Sequence, residues 1–228
     1  MSATDRVLYC SGQEGSIDQV FYRWVLAEDL IQVIPVGGHK TVVRRFVDPS
    51  PDDAPVQRGL AAGVVDRDAY PEGVLQRQGE LVEVLPYFEV ESYLCHPDLL
   101  LPALASRGRP MDPETLLEHT VSSARATFVP AINAHLTHQP KPSGRRRLEL
   151  MAAQYADQLR LADDILKKGN VESLLRYFPG RRLATRMARI LDFTNAQDIL
   201  SAIVALPELR ETQPVATLRE ALLLRFRA

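Results

Sequence analysis

The fold is decided by residues 7–36, which read VLYCSGQEGSIDQVFYRWVLAEDLIQVIPV. Two short apolar runs within them, Val7–Cys10 and Ile31–Val36, have the length and composition of strands. Between these runs, apolar residues recur at helical spacing from Ile17 to Val25. A strand, a helix and a second strand in this order predict a parallel pair of strands joined by a right-handed crossover.

Two further apolar runs, Ala62–Val65 and Leu81–Leu85, continue this pattern. We therefore predict an α/β fold with a central, mainly parallel sheet that is covered by helices on both faces. From Asp112 onward the strand signals vanish and helical periodicity takes over. The sequence thus predicts an α/β domain over residues 1–108, followed by an all-helical region over residues 109–228.

The composition is that of an ordinary globular protein, with 46% hydrophobic and 25% charged residues. The sequence shows neither a charged-then-apolar leader nor a run of about eighteen apolar residues, so we expect a cytoplasmic protein without a membrane span. Cys10 and Cys95 lack the C-x-x-C partners of structural zinc sites, and we interpret both as buried thiols.

Charge is distributed unevenly along the chain. Residues 1–140 contain 11 Lys and Arg against 19 Asp and Glu, whereas residues 141–228 contain 16 against 10. An acidic part suits the binding of metal ions and a basic part suits a polyanion, although two solvated faces would explain the same pattern.

Acidic residues follow the first and third predicted strands. Glu14 precedes the first helix, and Asp66 and Asp68 leave the third strand as an Asp-x-Asp pair. Because the carboxyl ends of parallel strands meet at one edge of a sheet, we expect these three carboxylates to converge there as ligands for Mg²⁺. A structural explanation also exists, since Ser16 or Asp18 could cap the helix and aspartates are frequent in exposed turns.

Two segments taken in order resemble the TOPRIM domain, the magnesium-binding fold of topoisomerases, primases and OLD-family nucleases. They are Glu14–Asp18 and the apolar strand that ends in Asp66–Asp68. The longer string Tyr9–Asp18, followed by Ile34–Gly38, resembles a narrower group of TOPRIM-like proteins that are associated with ABC-type ATPases in bacterial anti-phage defence. Members of that group often continue, as this chain does, with a strand and an acidic segment like Phe88–Leu94.

The resemblance covers residues 6–96 and includes two departures from the family pattern. The chain inserts Ser11–Gln13 between the first strand and Glu14, and it has Ser92 where the family more often has Asn. The insertion leaves the position of the first carboxylate open.

The resemblance implies that Glu14, Asp66, Asp68 and Glu91 hold Mg²⁺, or Mn²⁺ in its place, and cleave phosphodiester bonds. Glu91 is the candidate for the fourth ligand, with Glu89 as its rival. The resemblance further implies nucleic acid, either RNA or DNA, as the substrate and an ABC-type ATPase as the partner that restrains or triggers the nuclease.

A basic candidate lies in the helical region. The pair Arg181 and Arg182 lies within Phe178–Leu183, a segment that resembles a family position carrying a Gly-Lys-like pair, and a guanidinium can bind phosphate in bidentate fashion. We rank Arg182 above the triplet Arg145–Arg147, because arginine clusters at the start of a helix are commonly solvated.

The function predicted from these features is a metal-dependent nuclease effector of anti-phage defence, controlled by a partner ATPase. The helical region would serve assembly, as in a homodimer, or docking, or nucleic-acid contact. The rival prediction is a catalytically inactive TOPRIM-like module that binds or regulates an ATPase assembly. A primase-like nucleotidyl transferase ranks lowest, since it needs a nucleotide site, and Val36–Thr41 fails the spacing of a phosphate-binding loop.

Overall fold

The computed structural model describes residues 6–49, 54–70, 80–139, 141–143 and 146–226. Its four strands form one sheet with the order β2-β1-β3-β4, and every neighbouring pair is parallel. The strands are β1 (Val7–Cys10), β2 (Gln32–Pro35), β3 (Ala61–Val65) and β4 (Val82–Val84). The predicted α/β class and parallel sheet are confirmed, and each strand begins and ends within one residue of its predicted run.

Both faces of the sheet are covered, as the continuous burial of β1 and β3 requires. Leu8 and Cys10 belong to the larger hydrophobic cluster, whereas Val7 and Tyr9 belong to a smaller one on the other face. This alternation follows from the two-residue period of a strand. The flanking helices are α1 (Ile17–Val25), α2 (His39–Val47) and the short α3 (Ala54–Gln57).

The strand order places a topological switch point beside β1. The chain leaves β1 for β2 on one side and returns through α2 and α3 to β3 on the other side. The loops after β1 and β2 are joined by an antiparallel bridge, in which Gly12 N donates to Gly37 O at 2.7 Å and Gly37 N donates to Gly12 O at 3.0 Å. Gly12 has a φ of +95°, and a Cβ there would lie 2.3 Å from Ser16 Oγ. Ligands bind at such switch points in open α/β sheets.

The chain after β4 is helical as far as it is described, and residues 112–226 contain no strand within the described ranges. The larger hydrophobic cluster includes Phe21 of α1, Tyr93, Leu174 and Ile199. The later helices therefore pack on the α1 side of the sheet. They are a 3-10 helix (Val90–Cys95), α4 (Pro97–Ser106), α5 (Pro113–Ala126), α6 (Phe128–His138), α7 (Arg147–Lys168), α8 (Val171–Tyr177), α9 (Gly180–Ile190), α10 (Ala196–Val204), a second 3-10 helix (Pro207–Glu211) and α11 (Gln213–Leu224).

Of the helices that the structure describes, none combines the length and the apolar character that a membrane crossing needs. Cys10 and Cys95 are both buried and unpaired, as expected from the sequence.

Candidate functional site

Five carboxylates interact at the carboxyl edge of the sheet, beside the switch point. Asp66 directly follows β3, and the other four carboxylates all act on it electrostatically. Burial raises the pKa of Asp66 well above its usual value, and the charges of Asp18, Asp68, Glu91 and Glu89 raise it further. We call these five residues the acid cluster. Mutual repulsion of this kind is typical of functional sites, although structural acids can show it as well.

Asp18 enters the acid cluster from the first turn of α1. Ser16 caps this helix, because its Oγ accepts from Gln19 N at 3.4 Å. Asp18 is itself buried. Burial, followed by the charge of Glu91, raises the pKa of Asp18 to about 6, while the charge of Arg181 opposes the shift. The capping explanation therefore holds for Ser16, and Asp18 is left as the acid of this segment that acts on Asp66.

Two hydrogen bonds join the end of β3 to the segment around the first 3-10 helix. Asp66 Oδ1 accepts from Val90 N at 3.1 Å. Asp68 N donates to Phe88 O at 2.7 Å, and Asp68 has a φ of +48°, a left-handed conformation that aspartate tolerates better than most residues. Burial raises the pKa of Asp68, while the charges of His39 and His138 oppose the shift. These bonds bring both aspartates to the two glutamates of the next segment.

Glu89 and Glu91 lie at the start of the 3-10 helix. Glu89 is its N-cap and forms a capping box with Ser92, whose hydroxyl accepts from Glu89 N at 3.4 Å. Burial raises the pKa of Glu89 to about 7, against the hydrogen bond that its carboxylate accepts from the backbone of Arg181. Glu91 is also buried. Ser92, the departure from the family pattern, thus has a structural role here, and both rival glutamates belong to the acid cluster.

The start of α9 supplies the positive charge of the site. Arg181 N donates to Glu89 Oε2 at 2.7 Å, and the Arg181 guanidinium donates from Nε to Glu91 Oε1 at 3.0 Å. Gly180 permits this approach, since a Cβ at that position would lie 2.4 Å from Ser92 Oγ. Arg182, the residue predicted from the sequence, is exposed and makes no side-chain hydrogen bond or ion pair with the residues that the structure describes.

Glu14 lies outside this set of interactions. Its side chain is 76% exposed, and it accepts hydrogen bonds from Gln19 Nε2 at 3.0 Å and from Arg23 at 3.4 Å. It is not among the acids whose charge raises the pKa of Asp66. The structure thus brings Asp66 and Asp68 together with Glu91, and it places Asp18 where the sequence predicted Glu14.

Aromatic rings border the acid cluster at Asp68. Tyr70 lies between two histidines, with ring centroids 4.9 Å from His39 and 4.1 Å from His138. Because His39 begins α2 and His138 ends α6, this ring group joins the sheet edge to the helical region. No local pattern in the sequence predicts the pairing of residues so far apart in the chain.

The donor set of the acid cluster suits a hard divalent cation in kind, because all five side chains offer carboxylate oxygens. The side chains are not arranged as a complete coordination group. Within the ranges that the structure describes, no set of three or more His, Cys, Asp or Glu side chains is placed to hold a metal ion. Asp66 and Glu91 each accept a hydrogen bond at one carboxylate oxygen, from Val90 N and from Arg181 Nε respectively.

Comparisons of the chain with protein-family models, with curated proteins and with solved structures found no match. The function must therefore be inferred from the chemistry of the acid cluster and its surroundings. The acid cluster contains five carboxylates, and the pKa is raised for Asp18, Asp66, Asp68 and Glu89. Arg181 bridges Glu89 and Glu91.

Proposed function

We propose that this chain is a TOPRIM-like, metal-dependent nuclease that hydrolyses phosphodiester bonds of nucleic acid. The observation that carries the proposal is the environment of Asp66, whose pKa is raised by burial and by four neighbouring carboxylates at the switch point of a parallel sheet. Such a cluster binds a divalent cation favourably, since the cation relieves repulsion that would otherwise destabilise the fold.

The residues proposed to hold Mg²⁺, or Mn²⁺ in its place, are Asp18, Asp66, Asp68 and Glu91. When bound, the ion would lower the pKa of a water molecule and offset charge on the phosphodiester. Glu14 can join the set only if its carboxylate leaves Gln19 and Arg23, so its role as a ligand stays a prediction.

Arg181 is proposed to have two successive roles. Without a metal ion, its positive charge opposes the raised pKa values of Asp18, Asp68 and Glu89. A metal ion bound among the acids would offset their negative charge in place of Arg181. The Arg181 guanidinium could then turn to a phosphate oxygen of the substrate. Arg182 is a neighbouring exposed residue and stays a candidate for the same phosphate contact.

One observation favours the rival function, a catalytically inactive module that binds or regulates an ATPase assembly. Asp66 accepts from Val90, Glu89 closes a capping box, and Glu91 pairs with Arg181. Each of these acids thus has a structural partner, and a purely structural acid cluster would need no metal ion. The resemblance to TOPRIM-like proteins is compatible with both functions. In either case, an ABC-type ATPase partner and a role in anti-phage defence are part of the proposal.

Cleavage of labelled single-stranded RNA and DNA tests the proposal most directly. We expect cleavage with Mg²⁺ or Mn²⁺ and none with EDTA, and we expect Asp66→Asn to lower the rate by orders of magnitude. Glu149→Gln is the matched control, because it removes an exposed acid of α7 away from the acid cluster. The assay is run with and without the ATPase partner, since a nuclease that the partner triggers is inert alone, whereas one that the partner restrains is inert in the complex.

Metal binding separates the two functions. Mg²⁺ should raise the melting temperature of the wild-type protein and leave that of Asp66→Asn unchanged. A wild-type protein that neither cleaves nucleic acid nor gains stability from Mg²⁺ or Mn²⁺ would favour the inactive module.

A further inference from the structure

The solvent-facing side of α9 carries a row of three exposed arginines: Arg182, Arg186 and Arg189. Spacings of four and three residues place these side chains on one face of a helix. The opposite face packs into the larger hydrophobic cluster through Leu183 and Met187. We call the three exposed residues the arginine stripe.

The arginine stripe begins beside the acid cluster. Arg181, the residue before Arg182, donates hydrogen bonds to Glu89 and Glu91. Because a helix rises about 1.5 Å per residue, the stripe extends about 10 Å along α9 from Arg182. One helix therefore connects the acids proposed for cleavage with a row of solvent-facing cations.

No acid in the described part of the chain pairs with the arginine stripe. Its three side chains take part in no ion pair or side-chain hydrogen bond with the described residues, and α9 itself contains no Asp or Glu. Asp192 and Asp198, the first acids after α9, pair with Arg109 and Arg107 of another segment. The positive charge of the stripe is thus left for a partner outside the chain.

Helix stability does not explain the arginine stripe. The helix dipole favours a cation in the last turn, which accounts for Arg189, but it disfavours one in the first turn, where Arg182 lies without an acidic neighbour on α9. Arg182 and Arg186 also form a like-charge pair four residues apart, which weakens a helix. A polyanion bound along the stripe would offset both effects.

We propose that the arginine stripe binds the phosphate backbone of a nucleic acid and guides the strand to the acid cluster. Guanidinium groups bind phosphate in bidentate fashion. Phosphates of one strand follow each other at about 3.4 Å along a duplex axis, so the stripe spans about three nucleotides. Such contacts position a strand without reading its sequence. The inference rests on the proposed function, and it assigns substrate binding to one face of α9.

The binding test uses a fluorescein-labelled oligothymidylate of about 20 nucleotides, long enough to cover the stripe. Fluorescence anisotropy of the full chain is measured in EDTA over a series of salt concentrations, so that neither metal binding nor cleavage contributes. The triple variant Arg182→Gln, Arg186→Gln, Arg189→Gln should bind about tenfold or more weakly at low salt. The plot of log K against log salt concentration should become shallower by about 2, since each phosphate contact on a single strand contributes about 0.7.

A second triple variant removes the same net charge from α7. Arg147→Gln, Arg160→Gln, Lys167→Gln changes three exposed residues of that helix, and it should weaken binding less than about twofold because salt screens distant charges. Both triple variants alter only exposed side chains, so both should fold. Melting curves check this, and the stripe variant should melt no lower than the wild type, since its like-charge pair is gone.

A polyglutamate peptide of the same charge as the oligothymidylate tests whether the stripe instead fits an acidic protein surface. We expect the peptide to bind more weakly, because each glutamate side chain must be ordered on binding, whereas the phosphates belong to the strand itself. Polyglutamate binding that equals oligothymidylate binding, with the same loss in the stripe variant, would assign the stripe to an acidic protein and overturn the nucleic-acid assignment.

The remaining outcomes separate this inference from the proposed function. No oligothymidylate binding by the wild type, unchanged binding by the stripe variant, or an equal loss in the α7 variant would each overturn the inference. Asp66→Asn should bind the oligothymidylate at least as tightly as the wild type while losing cleavage. If the wild type cleaves nucleic acid but the stripe variant binds it normally, the stripe inference fails and the nuclease survives. If binding depends on the stripe but no metal ion supports cleavage, the nuclease fails and the stripe remains a nucleic-acid-binding surface.

Discussion

Arg181 of α9 donates a hydrogen bond from Nε to Glu91 Oε1 at 3.0 Å, across 90 positions of the sequence. The Glu91 side chain is 4% exposed and that of Arg181 is 71% exposed, so a buried acid is paired with a solvent-accessible cation. An exposed ion pair contributes little to stability, but a buried carboxylate left without its partner is costly. This pair therefore connects the helical region to the acid cluster, and it leads to the first prediction.

Arg181→Gln should lower the free energy of unfolding by about 1–3 kcal/mol, because a charged hydrogen bond to a buried acid is lost. Arg182→Gln is the control, since it removes a neighbouring exposed arginine that has no such bond. Urea denaturation in EDTA measures both variants. Equal stabilities for the two would show that the Glu91 pair contributes nothing, whereas a selective loss of cleavage in Arg182→Gln would assign the phosphate contact to Arg182.

Asp18 and Glu14 are competing candidates for the first carboxylate ligand. We expect Asp18→Asn to weaken Mg²⁺ binding and cleavage by orders of magnitude, and Glu14→Gln to change them only modestly. Without metal, Asp18→Asn should stabilise the fold by about 1 kcal/mol or more, because an amide replaces a carboxylate whose pKa is raised to about 6. Titration with Mg²⁺ and melting curves in EDTA measure the two effects. The reverse order of the variants would assign the ligand to Glu14.

The acid cluster also predicts how stability depends on pH when no metal is bound. The pKa is about 6 for Asp18 and about 7 for Glu89 in the folded chain, whereas both acids titrate near pH 4 when unfolded. The folded state thus binds more protons at these two carboxyl groups across this window, so their contribution to stability is greatest at the acidic end and falls as the pH rises from about 4 to about 7.

Other groups titrate as well, so the effect of these two acids is measured by comparing a variant that lacks them with the wild type. The pKa of Asp198 is lowered to about 2 by its hydrogen bond with Arg107, which makes its contribution fall away below about pH 4, outside this window. The double variant Asp18→Asn, Glu89→Gln should have a higher melting temperature than the wild type at pH 7, and the difference should shrink towards pH 4. A constant difference across this range would contradict the raised pKa values.

The sheet could be predicted from the sequence because its signals are local. Each strand is a short apolar run, and the order of strands and helices predicts parallel pairing. The Asp-x-Asp pair could be predicted for the same reason, since its position depends only on where β3 ends. What the sequence could not determine was which carboxylate after β1 faces Asp66.

The position of that carboxylate depends on the path of the loop. Ser11–Gln13 form part of a turn that the bridge between Gly12 and Gly37 holds, and the chain then exposes Glu14 before α1 begins. Asp18 was visible in the resemblance as the last residue of Glu14–Asp18, but it is buried in a helix that packs against segments more than 70 positions away, the first 3-10 helix and α10. The identity of the bridging arginine depends on the same long-range packing. Arg181 and Arg182 are adjacent in the sequence, and the rotation of α9 about its own axis determines which of them contacts the acid cluster.

Gly180→Ala tests whether the approach of α9 to the first 3-10 helix sets the geometry of the acid cluster. A Cβ at Gly180 would lie 2.4 Å from Ser92 Oγ and 2.6 Å from Ser92 N. The second contact is with backbone, which cannot rotate away, so α9 must shift and carry Arg181 with it. Overpacking of this kind costs about 1–3 kcal/mol. Arg186→Ala is the control, because it introduces alanine at an exposed position of the same helix. We expect Gly180→Ala to lower the melting temperature by several degrees and to weaken Mg²⁺ binding, while Arg186→Ala changes both only slightly. Lowered stability with unchanged Mg²⁺ affinity would mean that the acids are positioned by the sheet edge alone, and Arg181 would then be a structural partner of Glu91 rather than part of the metal site.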